Sequence, residues 1–117
     1  MEQQAKGIAT FDDFTKLDIR VAKVLAVRDH PNADKLVVMD IDLGTQQRQI
    51  IAGLKDHCTS QSLVGKNVVV LINLEPRKMR GLESNGMLLA ATAVSGDSRR
   101  VVVLTPAEPV PPGSAIS

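Results

Sequence analysis

Three cationic side chains lie within four residues of one another in the segment NLEPRKMRGLESNGMLLAA, which runs from residue 73 to residue 91. They are Arg77, Lys78 and Arg80. The planar guanidinium of arginine can hold a phosphate with two hydrogen bonds, and lysine adds a mobile point charge. The cluster therefore predicts a contact with phosphate groups. Composition alone leaves a solvated loop surface open as the alternative.

Charge is distributed unevenly along the chain. The formal net charge is only +1, which argues against a nonspecific polybasic binder. Five of the six Lys and Arg residues in the second half nevertheless fall between Arg77 and Arg100. A local positive patch is compatible with this distribution even though the total field is weak.

Aromatic side chains are scarce. The chain has no Trp or Tyr, and its two Phe residues, Phe11 and Phe14, lie near the N-terminus. Small β folds that bind single-stranded nucleic acid usually stack bases on aromatic rings, at about 1–3 kcal/mol per base. The scarcity of aromatic rings is therefore an obstacle to interpreting the basic cluster as part of such a nucleic-acid module.

Residues for catalysis or metal binding are equally scarce. The soft ligands are Cys58, His30 and His57, too few for an internal disulfide or a structural zinc site. No catalytic motif surrounds them, and the Gly-rich phosphate loop that ends in Lys-Ser/Thr is absent. We expect no catalytic residue, no metal and no cofactor. His30 precedes a proline in a predicted turn, and we assign it no chemistry.

The length and hydropathy of the chain indicate one cytoplasmic domain. A chain of 117 residues can bury a core without covalent staples. No apolar run approaches the length of a membrane span, and the segment MEQQAKGIATFDDF lacks the apolar centre of a signal peptide. The sequence therefore predicts no membrane association.

Alternating apolar residues predict an all-β fold. LDIRV opens a long strand whose phase slips near Ala22 and Lys23, as in a β-bulge. KLVVMDIDL, RQIIAG, NVVVLIN, GMLLAATA and RRVVVLTP follow as strands, with turns at HPNAD, GTQQ and SGDS. Thr10 and Asp13 form a capping-box pattern for a short helix at FDDFTK, while LKDHCTSQSLVG reads as helix or irregular loop.

The order of these elements favours a five-stranded OB-fold Greek-key barrel with a short N-terminal helix and a C-terminal strand extension. A small sandwich has the same number of strands. In the barrel, the core spans about residues 17–92, and residues 1–16 and 94–117 are extensions. LEPRKMRGLESNG would then join strands four and five at the binding face, where a basic loop is functional more often than elsewhere.

Seven segments give the chain a resemblance to a known family. In order, they are FDDFTKLDIRVAKV, HPNADKL, DIDLG, RQIIAGL, LVGKNVVVLINLEPRKMRG, SNGMLLAA and VVVLTP. They resemble the tRNA-binding domain found at the C-terminus of methionyl-tRNA synthetases, in stand-alone bacterial tRNA-binding proteins and in eukaryotic synthetase-associated factors related to endothelial monocyte-activating polypeptide. The resemblance implies an OB barrel that binds tRNA by shape and catalyses no reaction. It also makes a methionyl-tRNA synthetase a candidate partner.

The same resemblance implies which residues contact tRNA. The basic loop supplies three cations, the Ser-x-Gly-Met motif supplies the contacting edge, and HPNADKL supplies a neighbouring loop. The resulting set is Asn32, Lys35, Arg77, Lys78, Arg80, Ser84, Asn85 and Met87. Glu75 departs from the family pattern of a Lys or neutral residue and subtracts charge from the loop. Folded tRNA exposes phosphates and ribose hydroxyls more than bases, so stacking aromatics are not needed.

The extensions predict a homodimer, the state that the resemblance implies for bacterial forms. Phe11 and Phe14 lie three residues apart on one helical face, and the C-terminal tail adds Val110 and Ile116. The alternative is that the helix plugs one end of its own barrel. For the function, the alternative is a peptide-binding chaperone-type module, since a related chaperone family uses this barrel as a dimer.

Overall fold

A computed structural model describes residues 5–58 and 60–117, so residues 1–4 of the predicted N-terminal extension lie outside the described part of the chain. The elements in chain order are α1 (Phe11–Thr15), β1 (Ile19–Asp29), β2 (Val37–Asp42), β3 (Gln47–Ala52), α2 (Ser60–Leu63), β4 (Asn67–Leu71), β5 (Arg77–Met79), β6 (Leu82–Ser84), β7 (Met87–Leu88), β8 (Ala90–Ser95) and β9 (Ser98–Val103). The main sheet has the antiparallel order β3-β2-β1-β4-β7. β3 also packs against β6 and β7, which nearly closes the sheet into the predicted all-β barrel.

The interior of the barrel is filled by the alternate residues of its strands. In β2, Val37, Met39 and Ile41 are buried in the core, and Ile50 of β3 joins them. Successive side chains of a strand point to opposite faces, so the alternate residues that face inward together form the core. The remaining core members are Ala22, Val24, Leu43, Leu54, Leu63, Val68, Val70 and Ile72.

The long first strand is bent by the predicted bulge. The first part of β1 pairs with β4 and the rest pairs with β2. The register with β2 shifts between Val24 and Ala26, a short distance beyond the position predicted from Ala22 and Lys23. The bulge lets one strand belong to both sides of the barrel.

Two predicted elements differ from the structure. The segment predicted as a plain loop between the fourth and fifth strands contains the hairpin of β5 and β6. The strand predicted from GMLLAATA is divided at Leu89 into β7, which pairs with β4, and β8, which pairs with β9. Hydrophobic alternation could not predict the first, because RKMRGLES has only one apolar residue in each strand, Met79 and Leu82.

The short N-terminal helix has the predicted capping box. The Thr10 hydroxyl accepts a 3.1 Å hydrogen bond from the backbone N–H of Asp13, and the Asp13 carboxylate accepts a 3.1 Å bond from the backbone N–H of Thr10. Asn73, just after β4, fastens the helix to the barrel. Its side chain accepts a bond from the Asp18 N–H at 2.8 Å and donates one to the Lys16 carbonyl at 2.6 Å.

The C-terminal tail returns to the barrel and lies along the first part of β1. The N–H of Gly113 donates to the Val21 carbonyl at 2.7 Å, and the N–H of Val21 donates to the Ser114 carbonyl at 2.9 Å. Gly113 has φ 90°, and a Cβ there would collide with the Leu43 carbonyl oxygen. Residues 113–116 therefore form a closely packed additional segment beside β1.

Two classes of feature are not found in the described chain. Among residues 5–58 and 60–117, no helix is long and apolar enough to cross a membrane. The same residues include no cluster of three or more His, Cys, Asp or Glu side chains that could hold a metal ion.

Candidate nucleic-acid interface

The cationic cluster lies on the hairpin formed by β5 and β6, residues 77–84, which we call the basic hairpin. Arg80 and Gly81 connect its strands, with φ values of 53° and 92°. A two-residue connection with two positive φ values is typical of a type I′ turn, which usually takes Asn-Gly. Arg80 is the one non-glycine residue with positive φ in the described chain. The left-handed conformation costs an ordinary side chain about 1–2 kcal/mol, so the cation at the tip lies in a locally strained conformation.

The three cations do not share one face of the basic hairpin. Arg77 and Met79 line a cleft beside the barrel. Lys78 is paired with Glu83 across the hairpin, and strand alternation places both on the opposite face. All three cations are exposed, and none forms an ion pair with any residue in the described ranges. Arg80 therefore lies at the tip of the hairpin, with Arg77 on one face and Lys78 on the other.

The barrel holds the basic hairpin through Gln49 of β3. The Gln49 side-chain amide donates a 2.9 Å hydrogen bond to the Glu83 carbonyl, and the Gln49 carbonyl accepts a 2.9 Å bond from the Asn85 N–H. Arg28 donates to the Gln49 side-chain oxygen at 2.9 Å and forms a 3.2 Å ion pair with Asp40. This polar group connects β1, β2 and β3 to the hairpin.

Ser84 and Gly86 shape the end of the hairpin. The buried Ser84 hydroxyl accepts a 2.9 Å hydrogen bond from the Ile51 N–H and donates a 3.1 Å bond to the Gly86 carbonyl. Because its proton is already donated, Ser84 caps the turn and has none left for a phosphate. A Cβ at Gly86 would lie 3.2 Å from side-chain atoms of Ile50 and Val70. A larger residue at Gly86 would therefore press on the core, and φ of 143° also favours glycine there.

The loop between β1 and β2 lies next to the basic hairpin, as the predicted contact set requires. His30 is buried, and its Nε2 is 2.8 Å from the Met79 carbonyl oxygen. Asn32 and Lys35, on the same loop, are exposed. The loop and the hairpin thus meet at His30 and Met79, and together they carry six of the eight predicted contact residues, five of them exposed and Ser84 buried.

The cleft between the basic hairpin, the barrel and β9 has a volume of about 350 Å³. Its charged lining residues are Arg77, Arg99 and Glu75. Met87 lines it and is 45% exposed, so this methionine lies at the surface despite beginning a strand, whereas Asn85 is half-buried. The cleft is mixed in character, with a largely apolar wall that includes Ile51, Leu54, Leu74, Leu88 and Val101.

The residues predicted for a dimer interface are spread over two elements. On α1, Phe11 is 78% exposed and Phe14 is 40% exposed. In the tail, Ile116 is exposed and Val110 is half-buried. The hairpin of β8 and β9, most of which lies in the predicted C-terminal extension, presents exposed Val102, with Leu104 just after it.

A family model described as "Putative tRNA binding domain" matches residues 19–115. The chain belongs to this tRNA-binding domain family. The match includes the barrel, the basic hairpin and residues 113–115 of the tail that lies along β1.

Curated relatives of this tRNA-binding domain are much longer proteins. Methionine–tRNA ligase of Thermococcus kodakarensis is 50% identical over 107 residues, which cover 92% of this chain and 14% of that protein. Methionine–tRNA ligase of Thermotoga maritima is 50% identical over 108 residues, which cover 92% of this chain and 16% of that protein. The domain therefore corresponds to about one seventh of the first of these relatives.

Solved structures similar to this tRNA-binding domain match nearly its whole length. A MetRS-related protein from Pyrococcus horikoshii matches with a TM-score of 0.86 and 29% identity, covering 96% of this chain and all of that chain. The chaperone CsaA from Bacillus anthracis matches with a TM-score of 0.83 and 28% identity, covering 95% of this chain and all of that chain. The predicted barrel and the predicted family are both confirmed.

The residues that hold the basic hairpin were not found from the sequence of this tRNA-binding domain. Arg28, Gln49 and His30 act through contacts between positions far apart in the chain, and the His30 contact spans 49 residues. β3 reads QRQIIA, so Gln49 is one of three consecutive polar residues and no local pattern sets it apart.

Proposed function

We propose that this domain binds folded tRNA through its phosphate groups, with the basic hairpin and the β1–β2 loop as the contact surface. The observation that carries the proposal is Arg80, a cation kept at the tip of a turn in a conformation that favours glycine or asparagine. Strained residues of this kind are concentrated at functional sites, because a stable fold alone would select a relaxed residue. Tip cations of this kind contact phosphates without reading base sequence.

Five exposed residues make the proposed phosphate and ribose contacts. They are Asn32, Lys35, Arg77, Lys78 and Arg80. Met87 packs against a ribose or a base edge at the mouth of the cleft, and Asn85 supplies one polar group beside it. Ser84 acts through the turn and makes no direct contact in this proposal. Its buried hydroxyl supports this assignment.

Selectivity for folded tRNA follows from the composition of the surface. The contact residues include no aromatic side chain on which an unstacked base could lie. Single-stranded RNA gains much of its affinity from such stacking. A surface of cations, amides and a thioether instead suits the phosphates and ribose hydroxyls on the outside of a folded RNA.

A competition assay tests this function. Labelled tRNA bound to the purified domain is challenged with unlabelled tRNA, with single-stranded RNA and with duplex RNA of equal length. Folded tRNA should compete best. Equal competition by the unstructured strand would overturn the proposal of structural selectivity.

Peptide binding is the alternative that the similarity to a chaperone structure raises, and the apolar wall of the cleft is where it would occur. The basic hairpin favours RNA. A salt titration distinguishes the two ligands, since phosphate binding weakens log-linearly with salt and apolar capture does not.

We propose that the domain serves a methionyl-tRNA synthetase, either as part of that enzyme or as a separate chain acting in trans, and takes no part in the chemistry. The 50% identity to methionine–tRNA ligases supports this assignment. Adding the domain to a synthetase that lacks one should lower the KM for tRNA and leave kcat unchanged. A change in kcat alone would contradict a role limited to binding.

We also propose a homodimer that buries Phe11 and Phe14 of α1 together with tail residues Val110 and Ile116. The exposed phenyl rings support it, because aromatic side chains are enriched at protein–protein interfaces. Light scattering at micromolar concentration should give twice the chain mass, and Phe11→Asp with Phe14→Asp should give one chain mass. A wild-type monomer at that concentration would contradict the dimer.

A further inference from the structure

We infer that His30 is a positioning residue for tRNA binding, which holds the tip of the basic hairpin in its binding conformation through the carbonyl of Met79. The inference rests on the proposed function of the hairpin. His30 lies on the β1–β2 loop, 49 residues from Met79 in sequence, and the two are joined by a hydrogen bond of 2.8 Å.

The hydrogen bonds of the ring define its tautomer. The backbone N–H of Asn32 donates a 2.9 Å bond to His30 Nδ1, and a backbone N–H can only donate. Nδ1 therefore carries no proton. The proton of the neutral ring is on Nε2, which donates to the Met79 carbonyl. Both ring nitrogens are thus used, one for the loop and one for the hairpin.

The position of the Met79 carbonyl explains how this bond can restrain the conformation of Arg80. That carbonyl belongs to the peptide plane that precedes Arg80, and φ of Arg80 is the torsion between this rigid plane and the Cα–C bond of Arg80. Arg80 has φ 53°, which an arginine does not prefer. A donor that fixes the Met79 carbonyl therefore opposes relaxation of Arg80 toward negative φ.

Burial strengthens the contact. His30 is only 4% exposed, so water competes little for the Met79 carbonyl and the hydrogen bond is electrostatically stronger than an exposed one. Gln49 holds the other strand of the hairpin at Glu83. His30 is the contact at the tip, next to the cation that we propose meets the phosphate.

Two substitutions separate the two hydrogen bonds of the ring. His30→Gln places an amide NH₂ near the position of Nε2 and can still donate to Met79. His30→Asn places an amide oxygen near the position of Nδ1 and can still accept from Asn32, but it is too short to reach Met79. If His30 only filled its turn, the shorter asparagine, which keeps the local bond, would be the better replacement. If His30 positions the hairpin, glutamine is better.

The experiment measures tRNA affinity of the full chain at several salt concentrations for wild type, His30→Gln, His30→Asn and the control His57→Gln. His57 is the other histidine, and its Nδ1 accepts a 3.4 Å hydrogen bond from the Val101 N–H of β9 instead of bonding to the basic hairpin. We expect His30→Asn to weaken tRNA affinity about tenfold, which is the free energy of one hydrogen bond. The slope of log affinity against log salt concentration should fall by about one unit, as for the loss of one phosphate contact. His30→Gln and the control should stay within about twofold of wild type, well under that one-bond loss. Equal loss in both His30 variants, or loss only in His30→Gln, would overturn the inference.

Hydrogen exchange of residues 77–84, measured without RNA, tests the positioning role of His30 separately from the proposed tRNA binding. Faster exchange in His30→Asn than in His30→Gln is expected whether or not tRNA binds. Failure of wild type to bind tRNA would refute the proposed function alone, while equal exchange in the two variants would refute the positioning role alone. The ¹⁵N shifts of the His30 ring should also show the proton on Nε2, and a proton on Nδ1 would contradict the assignment.

Discussion

The side-chain amide of Gln49 and the backbone carbonyl of Glu83 are joined by a 2.9 Å hydrogen bond that ties β3 to the basic hairpin. Arg28 orients this amide by donating to its oxygen, which leaves the NH₂ group directed at Glu83. Asp40 in turn holds Arg28. A short hairpin with few apolar residues of its own is thereby fixed to the rigid part of the barrel.

Gln49→Met should weaken tRNA binding and increase hydrogen exchange at residues 82–84. Methionine has a similar volume but cannot donate to the Glu83 carbonyl, and the loss of one such bond costs about 0.5–1.5 kcal/mol. The control is Gln47→Met on the same strand, where the side chain is exposed. Equal exchange in both variants would show that the Gln49 bond does not hold the hairpin.

Arg80→Asn should make the protein more stable and a weaker binder. Asparagine adopts positive φ more readily, so we expect the free energy of unfolding to rise by about 1 kcal/mol. Loss of the tip cation should lower the salt slope by about one. Arg80→Lys keeps both the charge and the strain and should remain close to wild type in both assays. Urea unfolding and salt-dependent tRNA binding measure the two effects, and unchanged binding in Arg80→Asn would contradict the role of the tip.

Arg77→Ala and Lys78→Ala should each weaken binding to all tRNAs alike and lower the salt slope by about one, because each removes a phosphate contact without a base contact. Lys66→Ala removes an exposed cation outside the hairpin and is the matched control. Since Arg77 and Lys78 lie on opposite faces of the hairpin, a slope change in only one of them would identify the face that meets the RNA.

Gly86→Ala should lower the free energy of unfolding by about 2–4 kcal/mol, because the new methyl group adds overpacking to an unfavourable φ. It would lie 3.2 Å from Ile50 and Val70, and φ at Gly86 is 143°. Gly53→Ala meets nothing within 4 Å and is the control for denaturation. Similar stability of the two variants would contradict the close packing at Gly86.

The parts of the fold that sequence analysis predicted are those with a local cause. The capping box of Thr10 and Asp13 needs only four neighbouring residues, and the strands of the core follow from alternation within each segment. The basic hairpin was missed because its turn uses Arg80 where a type I′ turn normally has asparagine. A prediction made from the residues that turns favour therefore does not detect a turn that contains Arg80.

The candidate site was predicted by residue type and only partly by position. The β1–β2 loop and the basic hairpin do lie together, but the bond between His30 and Met79 that joins them connects residues 49 apart. No periodic pattern encodes such a pairing. Ser84 illustrates the same limit, since its hydroxyl could be assigned to the turn only once the Ile51 and Gly86 partners were located.

The tail along β1 has a consequence for self-association. Without residues 113–116, the backbone groups of Ile19 and Val21 that now bond to the tail would form an unpaired strand edge. Such an edge is a template on which a strand of another chain can add, and repeated addition leads to fibrous aggregates. By occupying this edge with its own tail, the chain withholds the first part of β1 from strands of other copies.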